Sequence, residues 1–400
     1  MGADSLDQRT VLHDRQRGAV LTRSNIMLVV GARPQFIKSA PVIEQILGRH
    51  KRIDLRIVHS GQHYDPEMSA IFFQELQIPK PSLNLHAGSG SHATQTAAIM
   101  KGLERSMSAD RPDLVVVSGD TNTTLAAALT AAKLQIPVAH IEAGLRSGDF
   151  TMPEEINRVL TDHCSMLLFA PTKTAVRNLK AEGLSGATRL TGDTMLDTLT
   201  TVMPRVEEVE ESVLARFGAQ AFDYVLVTLH RPSNVDDLRR LREIQHALRK
   251  IAVRLRVIFL VHPRTRKRLA KLGLPATRGK SALTFANPQG YIETLALLKN
   301  ARCLLTDSGG MQKESFLLHV PCATLRTTTE WPETLVGKAN RLITNPKNIP
   351  SEVLRAALDD NLKNRIRKLK NPYGDGHASA RIAGLIEDAA TSLKLTSTTQ

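Results

Sequence analysis

The sequence predicts an α/β protein of two domains, each a parallel sheet covered by helices on both faces. Short Val/Ile/Leu runs alternate with amphipathic helical stretches from end to end, the pattern of strands buried on both sides. The chain has 400 residues, enough for two separate cores. Its 42% hydrophobic and 23% charged content is that of a globular protein. Several strands end in Gly, acidic or basic residues, and the carboxyl edge is where open α/β sheets bind ligands.

Residues 1–25 are polar, lack the apolar segment of a signal peptide and read as a flexible extension. The first strand, Ile26–Val30, ends in Gly31-Ala32-Arg33-Pro34. A helix with Phe36, Ala40, Ile43 and Leu47 on one face follows. Neither G-x-G-x-x-G nor G-x-x-x-x-G-K-[ST] is present there. Arg33 and, one turn on, Lys38 place two cations at a strand end. They suit a phosphorylated ligand, or are simply surface residues. A second strand, Ile53–His59, runs into Ser60–Asp65. His59 and His63 are four apart, but Gly61 between them marks a loop, so no metal site is expected. A helix covers His92–Met107.

Leu114–Asp120 reads as a buried strand ending in an acid. Thr121–Lys133 reads as a helix, and Ile136–Glu142 as a second strand ending in an acid. One helix between two strands implies that they run parallel, with Asp120 and Glu142 on one sheet edge. Asp120 alone could be a helix N-cap. Pro153-Glu154-Glu155 fits the start of a helix, where Pro and acids are favoured. Strand Met166–Ala170, helix Thr172–Gly183 and strand Thr188–Gly192 close the first domain (26–192). A connector (193–217) is helical in pattern and interrupted by Pro204.

The second domain (218–375) opens with Tyr224–Thr228, followed by Leu229, His230 and Arg231; His230 could donate to a phosphate or be structural. Helix Asp236–Val253, strand Val257–His262, a basic helix and strand Ala282–Ala286 lead to Asn287-Pro288-Gln289 and another helix. Leu304–Glu314 then reads L-L-T-D-S-G-G-M-Q-K-E. Two glycines at a strand-to-helix turn let backbone N–H groups approach a ligand, and the new helix directs its free N–H groups there. Ser308, Gly309 and Gly310 thus form a candidate anion seat, with Glu314 further along the helix suited to a sugar hydroxyl. Strand Pro321–Arg326 and Thr327–Glu333 follow, and a final helix, about His377–Leu393, is expected to pack back on the first domain (376–400).

The net charge of +14 raises a nucleic-acid partner. Only 4% of residues are aromatic, no nucleic-acid motif is present, and Arg264–Arg268 and Lys363–Lys370 read as solvated helix faces. No nucleic-acid partner is expected. No apolar run approaches the ~18 residues of a membrane span. Cys164, Cys303 and Cys322 lack metal spacing and read as reduced core residues of a cytoplasmic protein.

Ten segments in order resemble the non-hydrolysing UDP-N-acetylglucosamine 2-epimerase family. They are GARPQFIK (31–38), SGQHYD (60–65), SGDTNTTLAAAL (118–129), HIEAGLRSGD (140–149), PEEINR (153–158), TGDTMLD (191–197), VTLHRP (227–232), NPQGY (287–291), TDSGGMQKE (306–314) and TTTEWPE (327–333). The resemblance implies a glycosyltransferase-B-like pair of Rossmann-like, doubly wound domains with a UDP-sugar in the cleft. It implies no cofactor and no metal, and a homodimer. By motif, Arg33, Lys38, His230, Arg326 and Ser308–Gly310 fall among the nucleotide and phosphate contacts, Gln289 and Thr294 near uracil, and Glu314 near ribose. Asp120, Glu142 and Glu154 match the carboxylates of the chemistry, with His230 beside the leaving group.

Two positions depart from the pattern. Trp331 stands where the usual enzymes carry an Arg, and Tyr64 where bacterial members carry one. An indole cannot pair with an anion as a guanidinium does. With GARPQFIK, this resembles the branch acting on UDP-2,3-diacetamido-2,3-dideoxyglucuronic acid. The alternative reading is a UDP-sugar glycosyltransferase of the same fold.

Overall fold

The computed structural model describes residues 23–62, 66–273 and 282–397. Most of the polar N-terminal extension, His63 and Tyr64 lie outside the described residues.

Seven strands form the first sheet: β1 (Ser24–Val30), β2 (Ile53–His59), β3 (Leu83–Asn84), β4 (Leu114–Ser118), β5 (Val138–Ile141), β6 (Leu167–Ala170) and β7 (Thr188–Leu190). Their order is 3-2-1-4-5-6-7, and every pairing is parallel. Ser24 and Asn25, expected in the extension, already pair with Ile53 and Asp54. Alternate residues of β1 serve opposite faces. Ile26, Leu28 and Val30 pack with Phe36 and Ile43, while Met27 and Val29 pack with Ile99, Leu103 and Ala127. A sheet apolar on both sides explains the near-continuous hydrophobic runs.

The second sheet has six strands: β8 (Tyr224–Thr228), β9 (Arg256–Leu260), β10 (Leu283–Ala286), β11 (Cys303–Thr306), β12 (Cys322–Thr324) and β13 (Asn340–Leu342). Their order is 10-9-8-11-12-13, again with parallel pairing throughout. Both sheets are doubly wound, so each has a switch point where strand order reverses: between β1 and β4, and between β8 and β11.

The connector departs from expectation. Thr194–Phe217 is one 24-residue helix with Pro204 inside it. Pro removes one helical hydrogen bond, but Val202, Val206 and Val213 on either side are buried in the core, and that packing carries the helix through. The last helix, Ala378–Ser397, returns to the first domain. Ile382, Ala383, Ile386 and Ala390 join the core around Ile26 and Leu28. The Asp197 carboxylate accepts from the Ser379 N–H and hydroxyl at 2.7 and 2.6 Å, anchoring the start of that helix.

Candidate active site

The first switch point presents Asp120, just beyond β4, beside the loop after β1. The N-cap of helix Asn122–Lys133 is Thr121, whose hydroxyl accepts from the Thr124 N–H at 3.3 Å. Asp120 is therefore not the cap. Its Oδ2 accepts from Arg158 Nη1 at 2.5 Å, and 24% of its side chain stays exposed. Burial pushes its pKa up; Arg158 and Lys38 oppose this, while the nearby Glu154 and Glu142 carboxylates add to it.

Glu154 and Glu155 open helix Pro153–Cys164 and have different surroundings. Glu154 is half-buried and close enough to raise the Asp120 pKa. Glu155 is buried and accepts from the N–H groups of Ser147 and Gly148 at 2.9 and 2.8 Å, and from Arg158 at 2.6 Å. It anchors the loop after β5 rather than facing the cleft.

Glu142, just beyond β5, has φ +70°, a left-handed backbone that a non-glycine residue holds only when its surroundings compel it. Its Oε2 takes a hydrogen bond from Lys38 Nζ, and its Oε1 another from Lys313 Nζ at 2.7 Å. The two ammonium groups hold its pKa down against burial. Lys38, expected at the phosphates, is thus committed to a first-domain carboxylate, because a buried ammonium needs an anion beside it. Behind both acids lies a buried pair. His140 Nδ1 is 2.7 Å from Asp162 Oδ1 and Nε2 is 2.8 Å from the Gly119 carbonyl oxygen, while Asp162 Oδ2 accepts from the Gly144 N–H.

The second switch point carries the candidate anion seat. Ser308 caps helix Gly309–Leu317. A Cβ on Gly309 would lie 2.1 Å from Glu330 Oε1, so the close approach of that carboxylate requires glycine there. Asp307 is buried and accepts from the N–H groups of His230 (3.0 Å) and Arg231 (2.9 Å) and from Asn234 Nδ2 (3.0 Å). His230 and these donors bring its pKa down to about 2 despite burial. The His230 ring, 42% exposed, sits with Nδ1 3.2 Å from Asp307 Oδ1. Arg326 pairs with Glu330 at 2.7 Å. Its other amino group, Nη1, is buried with no hydrogen-bond partner among the described residues.

Arg33 and Glu314 approach from opposite domains. Arg33 lies over the Phe72 ring, 4.5 Å from its centroid, and burial lowers its pKa while Glu314 and Glu75 oppose that. Glu314 is buried, which pushes its pKa up, while the nearby Tyr291 hydroxyl and Arg33 guanidinium oppose that rise. Gln289 and Thr294 lie one step further out. Gln289 Oε1 accepts from Arg216, and the Thr294 hydroxyl donates to the Gly290 carbonyl oxygen at 2.7 Å. The structure thus gathers Asp120, Glu142, Glu154 and Lys38 on one side of the cleft and His230, Arg326 and Ser308–Gly310 on the other.

Sequence reading missed the residue that joins the two sides. Lys313 Nζ, buried, donates to Glu142 at 2.7 Å and to Asp193 Oδ2 at 2.6 Å, and lies 3.7 Å from the centroid of Trp331. Both Lys313 and Asp193 fall inside motifs already singled out (TDSGGMQKE and TGDTMLD), and that was the available signal. Among the described residues no group of three or more His, Cys, Asp or Glu could hold a metal ion, and no helix is long and apolar enough to cross a membrane.

The sequence profile of the UDP-N-acetylglucosamine 2-epimerase family matches residues 45–387. The chain belongs to this family. A UDP-N-acetylglucosamine 2-epimerase of Methanocaldococcus jannaschii is 44% identical over 367 residues, covering 90% of this chain and 98% of the relative. The UDP-2,3-diacetamido-2,3-dideoxy-D-glucuronate 2-epimerase of Pseudomonas aeruginosa is 41% identical over 363 residues, covering 90% and 98%. The crystal structure of the M. jannaschii enzyme with UDP-GlcNAc and UDP superposes with a TM-score of 0.83 at 42% identity, over 90% of this chain and 99% of that one. The epimerase family fold is the glycosyltransferase-B-like pair of doubly wound domains, and membership makes the protein an isomerase rather than a glycosyltransferase.

Proposed function

We propose that the protein inverts C2 of a UDP-N-acetylhexosamine, either UDP-N-acetylglucosamine or its 2,3-diacetamido-glucuronate analogue. The observation that carries this reading is the anion seat at Ser308–Gly310 facing the strand-end carboxylates Asp120 and Glu142 across one cleft, joined through Lys313.

The C2 hydrogen is not next to a carbonyl, so simple deprotonation is hard. The anomeric C–O bond breaks first, and UDP leaves with the electron pair. A carboxylate takes the C2 proton, leaving a C1–C2 double bond, the glycal. A proton then returns to C2 on the other face, and a UDP oxygen re-forms the bond to C1. Asp120, Glu142 and Glu154 supply the carboxylates, for the proton transfers and for the charge on the ring. The Gly309 and Gly310 N–H groups, His230, Arg33 and Arg326 stabilise the departing diphosphate; one such donor contributes roughly 2–4 kcal/mol to the barrier. Glu314 takes the ribose, and Gln289 and Thr294 flank the uracil. A closed cleft keeps water from the glycal. On family grounds we also propose a homodimer that works in the cytoplasm to supply sugar nucleotides for surface polysaccharide.

The test is proton NMR in heavy water with each UDP-sugar in turn. Loss of the C2–H signal together with a new manno-configured anomeric signal is the expected result, and the faster sugar identifies the substrate. A static spectrum for both sugars, with UDP still bound, removes the proposal for those sugars.

A further inference from the structure

Lys313 sits one turn into helix Gly309–Leu317, which Ser308 caps. The N-terminus of that helix is the anion seat, and the fifth helical residue is this lysine. One rigid element of the second domain therefore carries both the seat and an ammonium held 2.7 Å from a first-domain carboxylate, Glu142.

The setting is a closed charge set. Two ammonium groups, Lys38 and Lys313, face two carboxylates, Glu142 and Asp193, and all four side chains are buried. Trp331 lays its ring 3.7 Å from the Lys313 ammonium, where the negative face of an indole favours a cation. The Asp193 backbone is tied down in turn, its N–H donating to the Tyr373 carbonyl oxygen at 2.9 Å. The charged or titratable groups near Glu142 are Lys38 from the first helix, Lys313 from the second domain, Asp120 at the neighbouring strand end, and the Tyr373 hydroxyl; Asp193 acts on it through Lys313. Of these, Lys313 is the cation that joins Glu142 to the seat helix. Trp331, the departure from the family pattern, thus has a cation stacked on it rather than being one.

We propose that Lys313 is a positioning residue for the reaction: through it, the helix that seats the diphosphate also fixes the orientation and the charge of Glu142 at C2. Departure of UDP and the readiness of the carboxylate are coupled through one helix. This inference rests on the epimerase reading, and it names a residue that acts on Glu142 without touching the sugar.

The experiment compares wild type, Lys313→Met, Lys313→Arg and Asp193→Asn by C2 exchange against pH and by UDP calorimetry. Wild-type exchange tests the epimerase reading by itself; its absence with both sugars overturns that reading and this one with it. Given wild-type exchange, Lys313→Met should lower kcat by ~100-fold or more and leave the UDP Kd within ~3-fold. Losing a cation raises the Glu142 pKa, so the acid limb of the kcat profile should move up by about one pH unit or more. Lys313→Arg keeps the charge and should recover at least ~10-fold of the loss. Asp193→Asn keeps Oδ1 as the acceptor for the Met195 N–H, 2.9 Å away, and releases Lys313 wholly to Glu142, so its acid limb should move down. An unmoved limb with unchanged kcat in Lys313→Met overturns the proposal, as does a loss confined to UDP affinity. Should Lys313→Met fail to fold, Asp193→Asn decides: an unmoved limb there overturns the proposal.

Discussion

Asp120 and Asp307 hold the same topological address in two sheets of the same winding, just past the strand at the switch point, and they behave in opposite ways. Asp307 is fully buried and accepts from two backbone N–H groups and an Asn amide. It stitches the β8 loop to the β11 loop, and its pKa falls to about 2. Asp120 meets one guanidinium, keeps part of its surface exposed, and has its pKa pushed up. The number of donors aimed at the ionised form decides the matter. A carboxylate saturated with donors is a structural pin, whereas one left short of them remains free to exchange a proton. The comparison teaches that a strand-end acid has no fixed meaning until its donors are counted.

The largest expected effect is on Asp120. Asp120→Asn should cut C2 exchange by ~10³-fold while leaving UDP affinity and, within about 1 kcal/mol, stability intact. Exchange by NMR and urea unfolding measure the two halves; unchanged turnover would remove Asp120 from the chemistry and break the contrast. Second comes Asp307→Ala, which strands two partly buried backbone N–H groups and a buried Asn234 amide N–H and should destabilise the second domain by about 3 kcal/mol in urea. A variant with wild-type stability and lost turnover would make Asp307 chemical after all.

The smallest effect is in acid. The Asp307 pKa is depressed from 3.8 to about 2, so its stabilisation is fully present above about pH 4 and is lost as pH falls towards 2, an amount of about 2 kcal/mol. The stability gap between wild type and Asp307→Ala should therefore narrow across that window. Asp120 has the opposite sign, since a raised folded pKa means that its ionised form costs stability above that pKa. Any gap in favour of Asp120→Asn at neutral pH should close on acidification.

Much of the architecture was legible because parallel strands buried on both faces write themselves as apolar runs, as Leu114–Val117 does. Leu83–Asn84 and Asn340–Leu342, strands of two and three residues, carry no such signal and went unread, whereas the equally short Thr188–Leu190 and Cys322–Thr324 were legible beside their Gly and Pro boundaries. Pro204 reads as an interruption in the sequence because propensity is local, whereas the burial that overrides it is not. In the site, Asp120 and Glu142 showed themselves by their place at strand ends. Lys38 showed itself only as a strand-end cation, without its true partner, and Lys313 did not show itself at all. Their meaning depends on meeting one carboxylate from positions 104 and 171 residues away along the chain, and no spacing within a motif encodes that. Glu154 and Glu155 are neighbours of identical type, and only the direction of each side chain at the helix start separates cleft from anchor.

The closing helix, Ala378–Ser397, has a consequence for how the chain is made. Its apolar face completes the core beneath β1, Glu387 pairs with Arg49 and Arg52, and Asp197 holds its first turn. Domains commonly fold as they leave the ribosome, N-terminal first. Here the first domain emerges early yet lacks part of its core until residues 378–397, beyond the whole second domain, are synthesised. During translation it must wait, with the surface that will receive the last helix uncovered, while the second domain folds on its own schedule.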